Sequence, residues 1–268
     1  MSSDKDKEQP IPIVHACYAK TNNNSENFVP HHIFSYQISG SMIVNDGKHE
    51  YVFEPGDFRL SKRNQLAKYV KVPPPNGEFK TIAIYFDQQT LREFSATYGY
   101  KAEKRDDTPG FINLPNSSIY KNFVESLLPY LAADQFRDKE LLALKIKEAL
   151  LILLRVNPEL KDVLFDFSEP GKIDLEGFMQ KNFHFKVGLN RFAYLTGRSL
   201  ATFKRDFQKI FKTSPSRWLV QRRLQEAHYL IKEQGKRPSE IYFELGFEDF
   251  SHFTYAFRQA YGAAPTKI

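Results

Sequence analysis

The 268 residues include one cysteine, one tryptophan and three methionines. With Cys17 as the sole thiol, no intrachain disulfide can form, and it reads as an ordinary thiol in a reducing compartment. Long hydrophobic runs are also missing. The longest, Ala149 to Leu154, has six residues, far short of the roughly 20 needed for a membrane-spanning helix. Met1 to Pro10 is charged and polar, without the apolar segment of an export signal. The expectation is a cytoplasmic protein with no membrane partner.

Patterned metal ligands are missing too. His15 and His49 stand alone, and adjacent His31 and His32 would point to opposite faces of a strand, so they could not share one ion. His184, His228 and His252 have no partner at a metal-binding or catalytic spacing, and no nucleophile-base constellation is evident. No metal, no cofactor and no enzymatic activity are expected.

What is present is ample apolar content, 41%, and an uneven charge. From Glu169 to the end there are 17 Lys+Arg against 10 Asp+Glu, net +7, while residues 1–168 hold 21 against 22, net −1, which together give the chain's +6. The excess positive charge lies entirely in the C-terminal part, as expected if that part alone meets a polyanion.

Residues 1–27 read as a polar leader ending in Thr21-Asn22-Asn23-Asn24-Ser25-Glu26-Asn27. From Phe28 onward short β-branched and aromatic runs follow: 33–38, 41–44, 51–53, 57–60, 67–72 and 80–86. They are separated by Asn45-Asp46-Gly47, Glu54-Pro55-Gly56-Asp57 and Pro73-Pro74-Pro75-Asn76-Gly77. This texture predicts an antiparallel sandwich or small barrel. Phe34, Tyr36, Phe53, Tyr69, Tyr85 and Phe86 supply aromatics for its interior, as a filled core or as the lining of an apolar pocket.

Helical periodicity begins at Asp87 and runs to Tyr98 with Gly99 as a stop, followed by a charged loop from Lys101 to Pro109. Two stronger helices are expected over Ser117–Ala133 and Asp138–Val156. Apolar residues cover most of the second one's circumference, so it needs more than one buried surface. The 117–156 pair is therefore either a homodimer surface or internal core. Ser168-Glu169-Pro170-Gly171 reads as the linker, giving an N-terminal domain over 28–168 and a C-terminal one over 169–268.

The C-terminal part repeats itself. Phe203-x3-Phe207-x3-Phe211-x3-Pro215 recurs as Phe253-x3-Phe257-x3-Tyr261-x3-Pro265, an offset of 50 at every position. A short segment ending in Gly197 or Gly246 precedes each, and Pro215–Gln234 between them reads as one long helix. Two tandem helix-turn-helix units on a basic domain follow. In the second, Phe253 and Phe257 share one helix face and leave Phe250, Ser251, Thr254, Tyr255 and Arg258 opposite, with Asp249 or Ser251 as the cap.

Gly40, Asp46-Gly47 and Pro55-Gly56-Asp57 resemble the cupin-type β-barrel that serves as effector domain in many AraC-type regulators. Over about the last hundred residues the likeness is specific. Ser199-Leu200-Ala201-Thr202-Phe203-Lys204-Arg205-Asp206-Phe207, Ser214-Pro215, Arg223-Leu224-Gln225-Glu226-Ala227 and Gly246-Phe247-x-Asp249-x-Ser251-x-Phe253-x3-Phe257-x3-Tyr261-Gly262-x2-Pro265 resemble the DNA-binding domain of the AraC/XylS family of bacterial transcription regulators. The resemblance implies an α+β chain of two domains: a cupin-like β-barrel with a helical pair, then an all-α domain with two helix-turn-helix units. It implies promoter binding to double-stranded DNA, with RNA polymerase as a further partner, a nucleoid-associated location, and control by a small molecule or a partner at the N-terminal domain.

Carried over by position, Ala201, Lys204 and Arg205 of the first recognition helix would face the major groove, with Ser199 and Thr202 near phosphates. The second would offer Phe250, Ser251, Thr254 and Tyr255, with Arg258 a phosphate candidate. Tyr255 stands where the family commonly has Arg, and Tyr242 where it commonly has Ala, so the first unit is expected to carry more of the specificity. Two other readings remain open: a cupin-type enzyme fused to a DNA-binding module, and a regulator whose N-terminal domain only dimerises or recruits protein.

Overall fold

The computed structural model describes residues 12–22, 27–104, 108–132 and 138–268. They form two compact units. The first holds 12–22, Val29–Gln65 and Tyr69–Phe167, and the second holds 27–28, Leu66–Lys68 and Ser168–Ile268. The main division falls between Phe167 and Ser168, beside the expected linker.

In chain order the strands are β1 (Ile13–Tyr18), β2 (Phe28–Val29), β3 (His32–Ser39), β4 (Ser41–Asn45), β5 (Glu50–Phe53), β6 (Phe58–Ser61), β7 (Gln65–Leu66), β8 (Lys68–Val72) and β9 (Phe79–Phe86). Helix α1 (Gln88–Tyr98), β10 (Phe111–Leu114), α2 (Ser118–Ala132), α3 (Lys139–Val156), a 3-10 turn and α4 (Lys161–Leu164) follow. The strands form a five-stranded sheet ordered β1-β9-β3-β6-β10, a three-stranded sheet β5-β4-β8 and a β2-β7 ribbon. The cupin-like domain is thus an antiparallel β structure of separate sheets, not one closed ring of hydrogen bonds.

Besides the two-residue β2 and β7, the longer strands β1 and β10 escaped the sequence reading. β1 lies within the stretch read as polar leader, yet pairs with β9 over six positions, Ile13↔Ile84 to Tyr18↔Phe79. β10 follows the charged loop and pairs with β6 from Phe111↔Ser61 to Leu114↔Phe58. Turn chemistry was followed closely elsewhere. Gly40 holds φ +71, and a Cβ there would lie 2.4 Å from the Val72 carbonyl oxygen, so only glycine fits between β3 and β4. Asp87 caps α1, Gly99 (φ 75) ends it, and Asp138 caps α3.

Successive strand residues face opposite ways, and here both faces of the large sheet are covered. Phe34, Tyr36, Phe58 and Phe86 pack toward the helices with Leu91, Phe123, Leu150 and Leu153. Tyr120 stands 5.3 Å from both Phe34 and Phe58. The expected barrel lining is corrected accordingly: Phe34, Tyr36 and Phe86 belong to the helix-side core. Facing the other way from the same strands are the buried Ser35, Gln37, Arg59, Ser61 and Thr81. Alternation could not reveal this, because it separates two faces without saying which is solvated.

Helix α3 buries Ile146, Ala149, Leu150, Leu153 and Leu154, while Leu144 is 62% exposed and Leu151 41%. Of the two readings of the helical pair, internal core accounts for one stripe, and two leucines, Leu144 and Leu151, remain outside with the exposed Lys147 between them.

The second unit comprises α5 (Leu175–Asn182), α6 (Leu189–Leu195), α7 (Leu200–Phe211), α8 (Pro215–Lys232), α9 (Pro238–Ile241) and α10 (Phe250–Tyr261). Its core is the repeat itself. Phe203, Phe207, Phe253 and Phe257 are all fully buried, each contributing roughly 1.5–3 kcal/mol of transfer free energy. Both copies lean on α8, with Phe211 4.7 Å from Trp218 and Tyr261 4.5 Å from His228. Leu219, Leu224, Ala227 and Ile231 form the buried stripe of that connector.

Candidate nucleic-acid interface

Each recognition helix is launched by a side-chain cap and anchored by two phenylalanines, which fixes the residues left outside. Ser199 caps α7, its Oγ accepting from the Thr202 backbone N–H at 3.2 Å. The Ser199 hydroxyl also donates to Thr202 Oγ1 at 3.0 Å, so the two hydroxyls sit together at the exposed start of the helix. Ala201, Lys204, Arg205 and Lys209 are exposed along α7.

Asp206, one residue on, turns inward. It accepts from Arg198 Nε at 3.2 Å, with Arg205 Nε at 3.7 Å and Lys172 at 4.0 Å. The Arg198 hydrogen bond, chief among these influences, outweighs desolvation and holds the carboxyl below its ordinary range. Arg198 also donates to the carbonyls of Thr196 (2.7 Å) and Ile173 (3.0 Å). A cation just before the recognition helix is therefore structural, and the charge pattern gave no sign of it.

In α10 the cap is Asp249, whose Oδ1 accepts from His252 N–H at 2.6 Å. Gly246 takes φ +87 in the preceding turn, where a Cβ would lie 2.8 Å from Arg223 Cζ. Arg223, buried on α8, donates to the carbonyls of Phe183 (2.8 Å), Phe185 (2.9 Å) and Gly246 (2.9 Å). Burial lowers its pKa to about 10.

Tyr255 is 66% exposed, and Ser251 and Arg258 are exposed. Phe250 is 37% exposed, its ring 5.5 Å from Tyr242 and 6.0 Å from Phe253, so it partly covers its own unit. The Thr254 hydroxyl oxygen is buried and has no hydrogen-bond partner, so this hydroxyl, on a half-buried residue, is not presented to solvent. The two helices thus differ in chemistry: α7 presents Lys204, Arg205 and Lys209 outward, and α10 presents Arg258 beside two aromatic rings.

A tandem pair of capped helices, mounted on one connector in a basic domain, defines a DNA-binding module of transcription regulators. The comparisons agree. Residues 192–268 match the family described as Helix-turn-helix domain, and residues 32–163 match the ExsA N-terminal regulatory domain. The chain is 26% identical over 233 residues to the HTH-type transcriptional regulator ExsA of Pseudomonas aeruginosa, covering 86% of this chain and 83% of that protein. It is 33% identical over 93 residues to the virulence regulon transcriptional activator VirF of Yersinia enterocolitica, spanning 35% of this chain and about a third (34%) of that relative. Among solved structures, an apo form of ToxT from Vibrio cholerae aligns over 97% of this chain and 98% of its own, with a TM-score of 0.48 at 11% identity. The chain belongs to the AraC/XylS family of transcription regulators. Among the described residues, no helix is long and apolar enough to cross a membrane.

Proposed function

We propose that this regulator reads its promoter mainly through α7, with Lys204 and Arg205 at base edges in the major groove, Ala201 beside them and Ser199 and Thr202 at phosphates. The observation that carries this reading is the contrast between the helices: α7 exposes adjacent cations, whereas the centre of α10's outward face is Tyr255. Arg and Lys can pair with guanine O6 and N7, which a tyrosine ring cannot imitate. Helix α10 then adds a second contact through Phe250, Ser251, Tyr255 and Arg258.

In this reading the first unit is the control domain, acting without catalysis through a small molecule or partner. The exposed leucines of α3 make the chain a homodimer, and the protein works on the nucleoid in the cytoplasm, where RNA polymerase meets it at the promoter. The test is a gel-shift titration on a bound promoter with Lys204→Ala plus Arg205→Ala. Loss of specific binding is expected, and unchanged affinity and salt dependence would show that another face meets DNA.

A further inference from the structure

Arg59 is a buried guanidinium on a central strand, facing away from the helix-side core. It is 3% exposed, and its Nη1 has no hydrogen-bond partner. Among the described residues no carboxylate forms an ion pair with it. Asp57 acts on it only at longer range, and Asp57 Oδ2 already accepts from the Glu54 backbone N–H at 2.7 Å. Its guanidinium lies 4.9 Å from the centre of the Phe53 ring, with the Tyr69 and Tyr85 hydroxyls as polar neighbours. Ser35 stands opposite Arg59 in the register, and Ser61 is hydrogen-bonded to Tyr69.

A second orphan shares this sheet face. Gln37 donates through Nε2 to the carbonyls of Ser39, Gly40 and Lys80, which fixes its amide and leaves the fully buried Oε1 without a donor. A guanidinium removed from water without a counter-charge costs several kcal/mol, and each orphaned polar atom adds to that cost. Tyrosine hydroxyls and a phenyl face compensate only in part. One cation calls for one negative charge, and the rings of Phe53, Tyr69 and Tyr85 suit a planar or apolar body.

We infer that the polar face around Arg59 is an effector site for a small organic carboxylate, held by Arg59 Nη1, with Gln37 Oε1 placed to accept from a donor on the same molecule. The inference rests on the reading of the first unit as a control domain and names the ligand class. The residues of β8, at one edge of the smaller sheet, are half-buried, as is Tyr51 on β5.

Calorimetric and thermal-shift titrations of the full chain with acetate, lactate and benzoate, each beside its neutral alcohol, test this. At least one carboxylate should bind saturably and raise the first unit's unfolding midpoint by about 3 °C or more, with no response to the alcohol. Arg59→Met should abolish that shift without lowering the midpoint, since the buried charge is gone, and Arg59→Lys should retain a weakened response. If no carboxylate binds, or if the shift survives in Arg59→Met, the site is wrong. If Arg59→Met does not fold, the carboxylate-versus-alcohol contrast and Arg59→Lys still decide. A gel shift with and without the binding carboxylate separates the two claims: saturable binding with no change in promoter affinity keeps the site and removes its control role.

Discussion

Arg223 Nη1 donates to the Gly246 carbonyl oxygen at 2.9 Å, joining the connector helix to the turn of the second helix-turn-helix unit. The same guanidinium bonds the carbonyls of Phe183 and Phe185, so one side chain satisfies three backbone groups. Arg223→Ala leaves those acceptors unpaired and should cost about 2–5 kcal/mol in urea unfolding of the second unit. Arg223→Lys should not restore it, because an ammonium cannot reproduce the planar fork. Gly246→Ala should cost about 1–3 kcal/mol through the positive φ and the 2.8 Å approach to Arg223.

His184 lies in the same neighbourhood. Burial first, then Lys68 and Arg223, lower its pKa from 6.5 to about 4. The folded form resists protonation, so the unfolded chain binds more protons between those values. Stability from this group is fully present above pH 6.5 and falls as the pH drops toward 4, by at most about 1.4 kcal/mol per unit. His184→Phe should flatten that limb in a pH series of denaturation midpoints; an unchanged slope would assign the acid sensitivity to other groups.

The proposed division of labour between α7 and α10 predicts unequal losses. Arg205→Ala should weaken specific promoter binding by roughly 1–3 kcal/mol if the guanidinium reads a base, or lower the salt slope by about one unit if it meets phosphate. Tyr255→Ala should cost less than Arg205→Ala and leave the salt slope unchanged. Equal or larger loss at Tyr255 in gel-shift titrations at two salt concentrations would reverse the assignment.

Leu144 and Leu151 lie seven residues, two helical turns, apart on the outer stripe of α3. If this stripe holds two copies together, Leu144→Glu plus Leu151→Glu should give monomers in analytical ultracentrifugation with an unchanged unfolding midpoint for each unit. Wild-type chain that sediments as a monomer at micromolar concentration would leave the stripe without that role.

Much of the second unit was legible because its signals are local. Phe203, Phe207, Phe253 and Phe257 recur at helical spacing, and caps and turn glycines sit where helix ends need them. Boundaries of α1, α2 and α3 followed the same rules to within a residue among the described residues. The first unit was harder to read. Ile13–Tyr18 becomes a strand only through pairing with β9, a partner more than 60 residues away at every position of the register. Arg198 and Arg223 carry the same charge as Arg205, and only tertiary packing makes them internal braces. Arg59 has the pattern of a solvated position in an alternating strand. Its burial depends on a second sheet covering the face that a polar residue usually shows to water.

The single connector shared by Trp218 and His228 has a consequence for the operator. Helix α8 has 18 residues, about 27 Å of rigid rod, and it sets a fixed interval between the two helix-turn-helix units. Duplex DNA turns once per roughly 10–10.5 base pairs, so inserting one base pair rotates the second contact by about 35° and moves it along the axis. The connector cannot follow that rotation. A promoter recognised by both units must therefore keep a constant spacing between its two contact points, even where the intervening bases are free to vary.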